Sequence, residues 1–269
     1  MEYKGILIPV GGNEDKGVGL KESYCVDFIR QGILSSIVRE SGGSDSRIAV
    51  ITTASSIPEE VGQNYLQAFQ SLGCSRVDWL DLRKRSEVQA KRVQSILEQA
   101  DCIMFSGGDQ SKIINAFADT STHRLICKKI EETRVVIAGT SAGAMSMSLQ
   151  MIAGGSIVEG MQKGNVRMAR GMGFLEHTII DTHFIQRGRF GRLAEAVARF
   201  PNLLGIGLAE DTGLIIRKGN DCEVIGSGMA VLFDPRNLSH NRYIDLEPGT
   251  PMSLSNLTTH ILACGDRFK

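Results

Sequence analysis

Short apolar runs alternate with segments of helical periodicity in the first half of the chain. The apolar runs cover residues 5–10, 47–52, 76–80, 101–105 and 135–138. The helical segments between them cover residues 24–39, 58–72, 87–99 and 111–119. Because parallel strands need crossover connections, this alternation predicts an α/β fold, with a three-layer α/β/α sandwich built around a mostly parallel sheet.

The second half of the chain has a different pattern. Glycines interrupt residues 154–173, which we interpret as a long loop before a strand over residues 174–181. A helix is predicted over residues 187–200 and a strand over residues 204–208, followed by small C-terminal antiparallel β segments at residues 213–217, 222–225 and 230–233. No linker is evident, so residues 1–269 are expected to form a single domain.

Composition argues against several classes of partner. Hydrophobic residues make up 42% of the 269 residues and the formal net charge is zero, so we expect a large core and no binding to nucleic acid or membranes. The sequence contains no stretch of about 18 apolar residues, so no membrane span is predicted. The six cysteines form no C-x-x-C pair and the N-terminus leads directly into the first strand, which favours a cytoplasmic protein with reduced cysteines and no zinc site.

The strongest chemical signal is the sequence G-T-S-A-G at residues 139–143. It follows the apolar run 135–138 and leads into a helical segment, which is the context of a nucleophile elbow. In that geometry the Ser141 hydroxyl projects at the carboxyl edge of the sheet, and the backbone NH of Ala142 faces any oxyanion formed there. We therefore predict an acyl-transfer enzyme with Ser141 as its nucleophile.

A serine nucleophile needs a base, and histidine is the usual one. Of the five histidines, His183 follows a predicted strand at its carboxyl end, so it is expected on the same edge as Ser141. Two carboxylates could complete a triad. Glu210 ends the apolar run 205–210 and is favoured because strand ends are held more rigidly than loops, whereas Glu159 lies in the glycine-rich region.

Two glycine-containing turns follow predicted strands. In the turn F-S-G-G-D-Q at residues 105–110, the NH of Gly108 could complete an oxyanion hole with that of Ala142. The alternatives are a phosphate-type nest of backbone NH groups and a plain tight turn capped by Asp109. The turn G-G-N-E-D-K at residues 11–16 matches neither a P-loop nor a dinucleotide fingerprint, and we assign it no role.

A cationic cluster follows His183, formed by Arg187, Arg189 and Arg192. Guanidinium groups bind carboxylates through paired hydrogen bonds, so the cluster favours a substrate with free carboxylates over an uncharged ester. The alternative is a solvated helix face, which is the common fate of such a run.

Four motifs occur together in this chain: F-S-G-G-D-Q at residues 105–110, G-T-S-A-G-A at 139–144, D-T-H-F-I-Q-R-G-R-F-G-R-L at 181–193 and G-I-G-L-A-E at 205–210. On these motifs, and over nearly its full length, the chain resembles the cyanophycinase family and, more distantly, peptidase E, an aspartyl dipeptidase. The resemblance implies a cytosolic serine exopeptidase that degrades cyanophycin, multi-L-arginyl-poly-L-aspartate, to β-Asp-Arg dipeptides. It also implies a fold like that of class I glutamine amidotransferases, a homodimer, and no metal or organic cofactor.

The resemblance also implies roles for individual residues. Ser141 and His183 match the family's nucleophile and base, and both Glu159 and Glu210 stand where the family carries an acid. The residues that match the family's pocket are Gln110, Asp181, Arg187, Arg189 and Arg192. Accordingly, the arginines are expected to bind substrate carboxylates, and Asp181 is expected either to support the site or to meet a substrate guanidinium.

Thr182 departs from the family, which often has glutamine between the Asp and the His of this motif. Threonine is shorter by an amide and cannot make the same contacts, so the depth or selectivity of the pocket is expected to differ. An aspartyl dipeptidase acting on α- or β-aspartyl peptides is therefore the alternative function. From another class, a non-catalytic binding protein on the same scaffold would use Ser141 only as a turn residue.

Overall fold

The structure is a computed structural model that describes residues 3–17, 25–155 and 161–269. Its strands are β1 (Ile6–Val10), β2 (Ile48–Ile51), β3 (Val77–Leu80), β4 (Cys102–Phe105), β5 (Val136–Thr140), β6 (Gln150–Gly155), β7 (Val166–Arg170), β8 (Thr178–Asp181), β9 (Leu204–Leu208), β10 (Thr212–Arg217), β11 (Asp221–Gly226), β12 (Met229–Asp234), β13 (His240–Asn241), β14 (Leu254–Ser255), β15 (Thr258–Ala263) and β16 (Arg267–Phe268). Its α-helices are α1 (Ile33–Glu40), α2 (Pro58–Ser71), α3 (Arg85–Val88), α4 (Lys91–Gln99), α5 (Gln110–Phe117), α6 (Ser121–Glu132), α7 (Ala142–Ser146) and α8 (Phe190–Arg199). A short 3₁₀ helix covers Pro235–Asn237.

The larger sheet has the strand order β16-β11-β10-β1-β5-β4-β2-β3. Strands β1 to β5 are parallel, and β10, β11 and β16 extend the sheet beside β1 with antiparallel pairing. β1, β2, β4 and β5 are buried along their whole length because both faces are covered, which explains their continuous apolar sequences. Helices α1 and α2 pack on one face, and α3 to α6 pack on the other. The prediction of an α/β fold with a mostly parallel central sheet is confirmed.

A second sheet, of order β15-β12-β9-β8, packs on the face that α3 to α6 also cover. Ile180, Ile206 and Leu232 of this sheet share a buried core with Leu7 of β1. Its other face packs on α8 through Phe233 and neighbouring apolar side chains. The predicted C-terminal antiparallel β segments correspond to β10, β11 and β12, but these strands do not form a separate unit, because β10 and β11 belong to the larger sheet and β12 to the second.

The helix boundaries differ from the predicted ones in three places. Within the predicted helix at residues 24–39, α1 begins only at Ile33. The carbonyl and the carboxylate of Asp27 accept the backbone NH groups of residues 30–32 and form a turn before the helix. The segment 87–99 is divided into α3 and α4 by the extended backbone of Ala90. α6, which no predicted span covered, begins after Thr120, whose hydroxyl caps it. In the described ranges, no helix is long and apolar enough to cross a membrane.

Within the region predicted as a loop over residues 154–173, residues 154–155 and 166–170 belong to two strands of a hairpin. β6 and β7 pair as antiparallel strands, with a register shift between Ile152 and Gly154. Gly155, one of the glycines that indicated a loop, is the last residue of β6 and has a φ of 146°, which other residues rarely adopt. Residues 156–160 lie outside the described ranges.

Candidate active site

Ser141 lies on a sharp turn between β5 and α7. Its backbone angles are φ 51° and ψ −112°, and such a conformation costs a non-glycine residue roughly 1–3 kcal/mol and persists only where neighbours enforce it. Two glycines let the strand and the helix meet: a β-carbon on Gly139 would lie 2.6 Å from the carbonyl carbon of Gly143, and one on Gly143 would overlap the carbonyl oxygen of Phe105. The G-x-S-x-G spacing therefore meets a steric need of this turn.

Ser141, His183 and Glu210 are connected by hydrogen bonds. Ser141 Oγ lies 2.9 Å from His183 Nε2, and His183 Nδ1 lies 2.6 Å from Glu210 Oε1. Ser141 follows β5 of the larger sheet, whereas the other two residues follow β8 and β9 of the second sheet. With the carboxylate accepting at Nδ1, the neutral imidazole carries its proton there and leaves Nε2 free to accept from the serine. Glu159, the other candidate acid, lies outside the described residues.

The surroundings of His183 favour its neutral form. Burial, helped by the positive charges of Arg187 and Arg189, lowers the pKa of His183 below its ordinary 6.5, although the hydrogen bond to Glu210 opposes this. Burial would raise the pKa of Glu210, but hydrogen bonds from Asn13 and His183 outweigh it and hold that pKa below its ordinary value. Near neutral pH, a neutral imidazole therefore stands between a hydroxyl and a carboxylate.

The last residue of β1 and the turn after it contact Ser141 and His183. The backbone carbonyl of Gly11 accepts the backbone NH of His183 at 2.8 Å. A β-carbon on Gly12 would lie 2.5 Å from His183 Cε1, so the glycine leaves room for the imidazole. The NH of Ser141 donates to the carbonyl of Val10 at 2.9 Å. Sequence reasoning gave this turn no role, although paired glycines directly after a strand can signal a close backbone approach.

Two backbone NH groups near Ser141 have no protein acceptor within the described part of the chain. They belong to Ala142, the first residue of α7, and to Gly108, in the turn after β4. A β-carbon on Gly107 would lie 3.3 Å from Ser141 Cβ, so this turn runs beside the serine. Gly108 has a φ of 139°, and a β-carbon there would overlap the carbonyl oxygen of Ala54, so the position requires glycine.

Asp181 binds two of the three arginines of the predicted cluster. Its carboxylate is fully buried and accepts hydrogen bonds from Arg192 Nε at 2.8 Å, from Arg192 Nη2, and from Arg189 Nη1 at 3.2 Å. Arg189 and Arg192 are themselves only 9% and 5% exposed. Both guanidinium groups are engaged by Asp181 in the interior, and its single negative charge balances one of their two positive charges. That these two arginines bind substrate carboxylates stays a prediction. The burial of Asp181 favours support of the site among its two considered roles, and this role stays a prediction.

The remaining residues of the predicted pocket are dispersed. Arg187 is exposed, and its charge acts on both the imidazole and the carboxylate described above. Gln110 Nε2 donates to the carbonyl of Ile152 at 2.9 Å and so joins α5 to the hairpin. Thr182 is fully buried, with its hydroxyl 3.3 Å from the sulfur of Met145, so its side chain faces the interior.

Comparison with known proteins assigns this arrangement to a family. The sequence model of peptidase family S51 matches residues 29–224, which is more than half of the chain. The chain belongs to peptidase family S51. As an S51 peptidase, it is a serine-type peptidase.

Relatives of this S51 peptidase align over nearly its whole length. The cyanophycinase of Trichormus variabilis is 34% identical over 265 residues, which cover 98% of this chain and 85% of that protein. The cyanophycinase of Geminocystis herdmanii is 36% identical over 262 residues, covering 97% and 92%. The crystal structure of a peptidase from an acI-B1 actinobacterium matches with a TM-score of 0.68 and 20% identity, over 99% of this chain and 97% of that one, which shows a shared fold. The resemblance inferred from the four motifs is confirmed.

Other histidines of this S51 peptidase lie away from the serine. His123 of α6 has Nε2 2.8 Å from the carbonyl oxygen of Met172. His240 and His260 lie in β13 and β15. Over residues 3–17, 25–155 and 161–269, no three His, Cys, Asp or Glu side chains are grouped so that they could hold a metal ion.

Proposed function

We propose that this S51 peptidase is an exopeptidase that hydrolyses cyanophycin to β-Asp-Arg dipeptides through an acyl-enzyme. The observation that carries the proposal is the chain of hydrogen bonds from Ser141 through His183 to Glu210. The two relatives at 34% and 36% identity, both cyanophycinases, support the choice of substrate.

In the proposed mechanism, Ser141 is the nucleophile of a nucleophile elbow. His183 Nε2 takes the hydroxyl proton as Ser141 Oγ attacks the carbonyl carbon of the scissile peptide bond. Glu210 holds the required tautomer and stabilises the imidazolium that forms. His183 then donates this proton to the leaving amine. It afterwards takes a proton from the water that attacks the acyl group, and returns it to Ser141 Oγ as the bond between Oγ and the acyl carbon breaks.

The backbone NH groups of Gly108 and Ala142 form the oxyanion hole in this proposal. Both turns have a fixed backbone, so their NH groups need no reorganisation when negative charge develops on the carbonyl oxygen. One such donor contributes about 10²- to 10³-fold to kcat in related chemistry. The proposed reaction requires no metal or organic cofactor.

Incubation of the purified protein with insoluble cyanophycin tests the substrate. Mass spectrometry of the soluble fraction is expected to detect β-Asp-Arg as the main product. Release of long fragments would contradict exopeptidase action, and absence of any soluble product would contradict cyanophycin as the substrate.

An aspartyl dipeptidase is the second candidate function, and the ion pairs of Asp181 favour it. With Arg189 and Arg192 engaged in the interior, Arg187 is the member of the cluster left exposed to meet a substrate carboxylate. A short aspartyl peptide needs fewer cationic contacts than the end of a polyanionic chain. Comparing kcat/KM for cyanophycin with kcat/KM for α- and β-Asp-Xaa dipeptides distinguishes the two functions.

Glu210→Gln is expected to lower kcat by about 10³- to 10⁴-fold with little change in KM. The glutamine amide can donate to His183 Nδ1, and the ring would then carry its proton on Nε2, where it cannot accept from Ser141. Glu159→Gln is the matched variant and should keep kcat within about tenfold, because we propose Glu210 as the acid. A larger loss in Glu159→Gln than in Glu210→Gln would assign the third member of the triad to Glu159.

The pH dependence of kcat/KM should reflect the lowered pKa of His183. Because burial lowers this pKa beneath 6.5, the neutral imidazole that acts as base persists below that pH. We expect kcat/KM to be constant near neutral pH and to fall as the pH drops through the lowered pKa, with its half-maximal point below pH 6.5. Arg187→Gln removes a positive charge that lowers this pKa and should move the half-maximal point upward. A wild-type half-maximal point above pH 6.5 would contradict this environment for the base.

Three further expectations stay predictions. They are the class I glutamine amidotransferase-like architecture, a single catalytic domain over residues 1–269, and a homodimer. Sedimentation equilibrium at several protein concentrations would test the homodimer. A single cooperative unfolding transition would support one domain.

A further inference from the structure

Glu14 carries a charge in the interior beside the candidate active site. It is 2% exposed, and burial would raise its pKa, but Lys16 and the hydroxyl groups of Thr140 and Tyr65 outweigh this and hold that pKa below its ordinary value. Tyr65 donates to Oε1, Thr140 Oγ1 donates to Oε2 at 2.5 Å, and Lys16 Nζ lies 3.0 Å from Oε1. Each carboxylate oxygen therefore has a donor, which a buried charge needs.

On one side, Glu14 holds the residue that precedes the strained turn. Thr140 is the last residue of β5, and Ser141 follows it with a φ of 51°. A positive φ at serine persists only when surrounding contacts maintain it. The hydrogen bond from Thr140 to Glu14 is such a contact, and it acts on the peptide unit directly before the serine.

On the other side, Glu14 belongs to the turn after β1, whose residues 11–15 are called the 11–15 turn below. This turn contacts the other two members of the proposed triad. The carbonyl of Gly11 accepts the NH of His183, and Asn13 hydrogen-bonds the carboxylate of Glu210. The proposed nucleophile stands on the larger sheet, whereas the proposed base and acid follow strands of the second sheet. The 11–15 turn therefore bridges the two groups.

We propose that Glu14 is a positioning residue: its buried carboxylate ties the 11–15 turn to the end of β5 and so keeps Ser141 in register with His183 and Glu210. The catalytic consequence of this tie rests on the proposed function. The tie itself is a matter of geometry and can be measured without a substrate.

Glu14→Gln tests the proposal, because glutamine has the same size but presents an amide donor to one of the two hydroxyl groups. We expect kcat to fall about 10- to 100-fold with KM unchanged within about twofold, since misplacing a catalytic group by about 1 Å costs up to about 100-fold. Thr140→Val removes the Oγ1 donor and should have the same effect. Tyr65→Phe should have a smaller one, because Lys16 still contacts Oε1. The rate of fluorophosphonate labelling at Ser141 should fall in parallel with kcat.

Glu40→Gln is the matched control. Glu40 is also a buried carboxylate, 9% exposed, and it accepts from Arg217 Nη2 at 2.6 Å. Arg217 of β10 pairs with Ile6 at the start of β1, whereas Ser141 follows the carboxyl end of β5. The ion pair of Glu40 with Arg217 therefore lies at the opposite end of the strands from Ser141. Both variants should lower Tm, but only Glu14→Gln should lower kcat and the labelling rate. A lower Tm with unchanged kcat in Glu14→Gln, or an effect on KM alone, would overturn the proposal.

Crystal structures of the two variants separate this inference from the proposed function. In Glu14→Gln, the distance from Ser141 Oγ to His183 Nε2 is expected to lengthen beyond about 3.2 Å, out of hydrogen-bonding range. In Glu40→Gln it should stay at 2.9 Å. An unchanged distance in Glu14→Gln would overturn the positioning role whether or not the wild type is active. A wild type that neither hydrolyses substrate nor reacts with the fluorophosphonate would contradict only the proposed function.

Discussion

Ser141→Ala is expected to lower kcat by about 10⁴- to 10⁶-fold and to abolish labelling by a fluorophosphonate. The substitution removes the hydroxyl that lies 2.9 Å from His183 Nε2 and that would form the acyl-enzyme. Oxyanion donors and substrate binding would account for the residual rate, since they act without the nucleophile. Dipeptide release at saturating substrate measures kcat, and an active-site titration with the fluorophosphonate measures labelling.

A matched control for this experiment is Ser36→Ala. Ser36 is a buried serine of α1, on the face of the larger sheet away from the second sheet, and its Oγ accepts from Arg39 Nη2. This variant should be labelled fully and keep its kcat. Equal labelling of wild type and Ser141→Ala would contradict the assignment of the nucleophile. No labelling of the wild type, under conditions that label another serine hydrolase, would support a non-catalytic binding protein.

Asp181→Ala is expected to lower the free energy of unfolding by about 3–5 kcal/mol, because it leaves two buried guanidinium groups without their counter-ion. Burial already lowers the pKa of Arg189 to about 10, with Asp181 acting in the opposite direction. Arg189 Nη1 also donates to the carbonyl of Thr182 at 2.7 Å, so the same ion pairs hold the segment that leads to His183. A decrease in kcat should therefore accompany the loss of stability.

Urea denaturation measures this loss, with an unchanged m-value as the sign that the same cooperative transition is observed. Asp181→Asn preserves the size of the side chain and isolates the effect of its charge. Glu132→Ala is the control, because Glu132 and Lys128 form an exposed pair at 3.8 Å that should contribute less than about 1 kcal/mol. An equally small effect in Asp181→Ala would show that the ion pairs of Asp181 with Arg189 and Arg192 do not stabilise the fold.

The parallel strands of the first half and the later elements α8 and β9 to β12 were predictable from the sequence, whereas several helix boundaries and the β6–β7 hairpin were not. Strands β1 to β5 lie close to the predicted runs because parallel strands buried on both faces are continuous apolar segments. The boundary of α1 was wrong because hydrogen bonds at Asp27 override helical periodicity. The β6–β7 hairpin was missed because its glycines weaken the alternation by which a strand is recognised.

The candidate site was predictable where its residues follow strands. Ser141 and His183 could be proposed as neighbours because the carboxyl end of a strand is visible in local sequence, and the structure brings them within 2.9 Å. The ion pairs of Arg189 and Arg192 were not predicted, because the partner of a charged side chain is not visible in local sequence. Asp181 lies eight and eleven residues before these arginines, and only the packing of α8 brings them together.

By itself, the sequence determined the positions of the five parallel strands in the first half, the turn at Ser141 and the family. Only the tertiary structure decided which strands share a sheet, that Glu210 contacts His183, and that Glu14 and Asp181 are buried among their partners. The physical reason is that local patterns record the burial and backbone conformation of neighbouring residues. Hydrogen bonds and ion pairs between residues distant in sequence depend instead on how the elements pack.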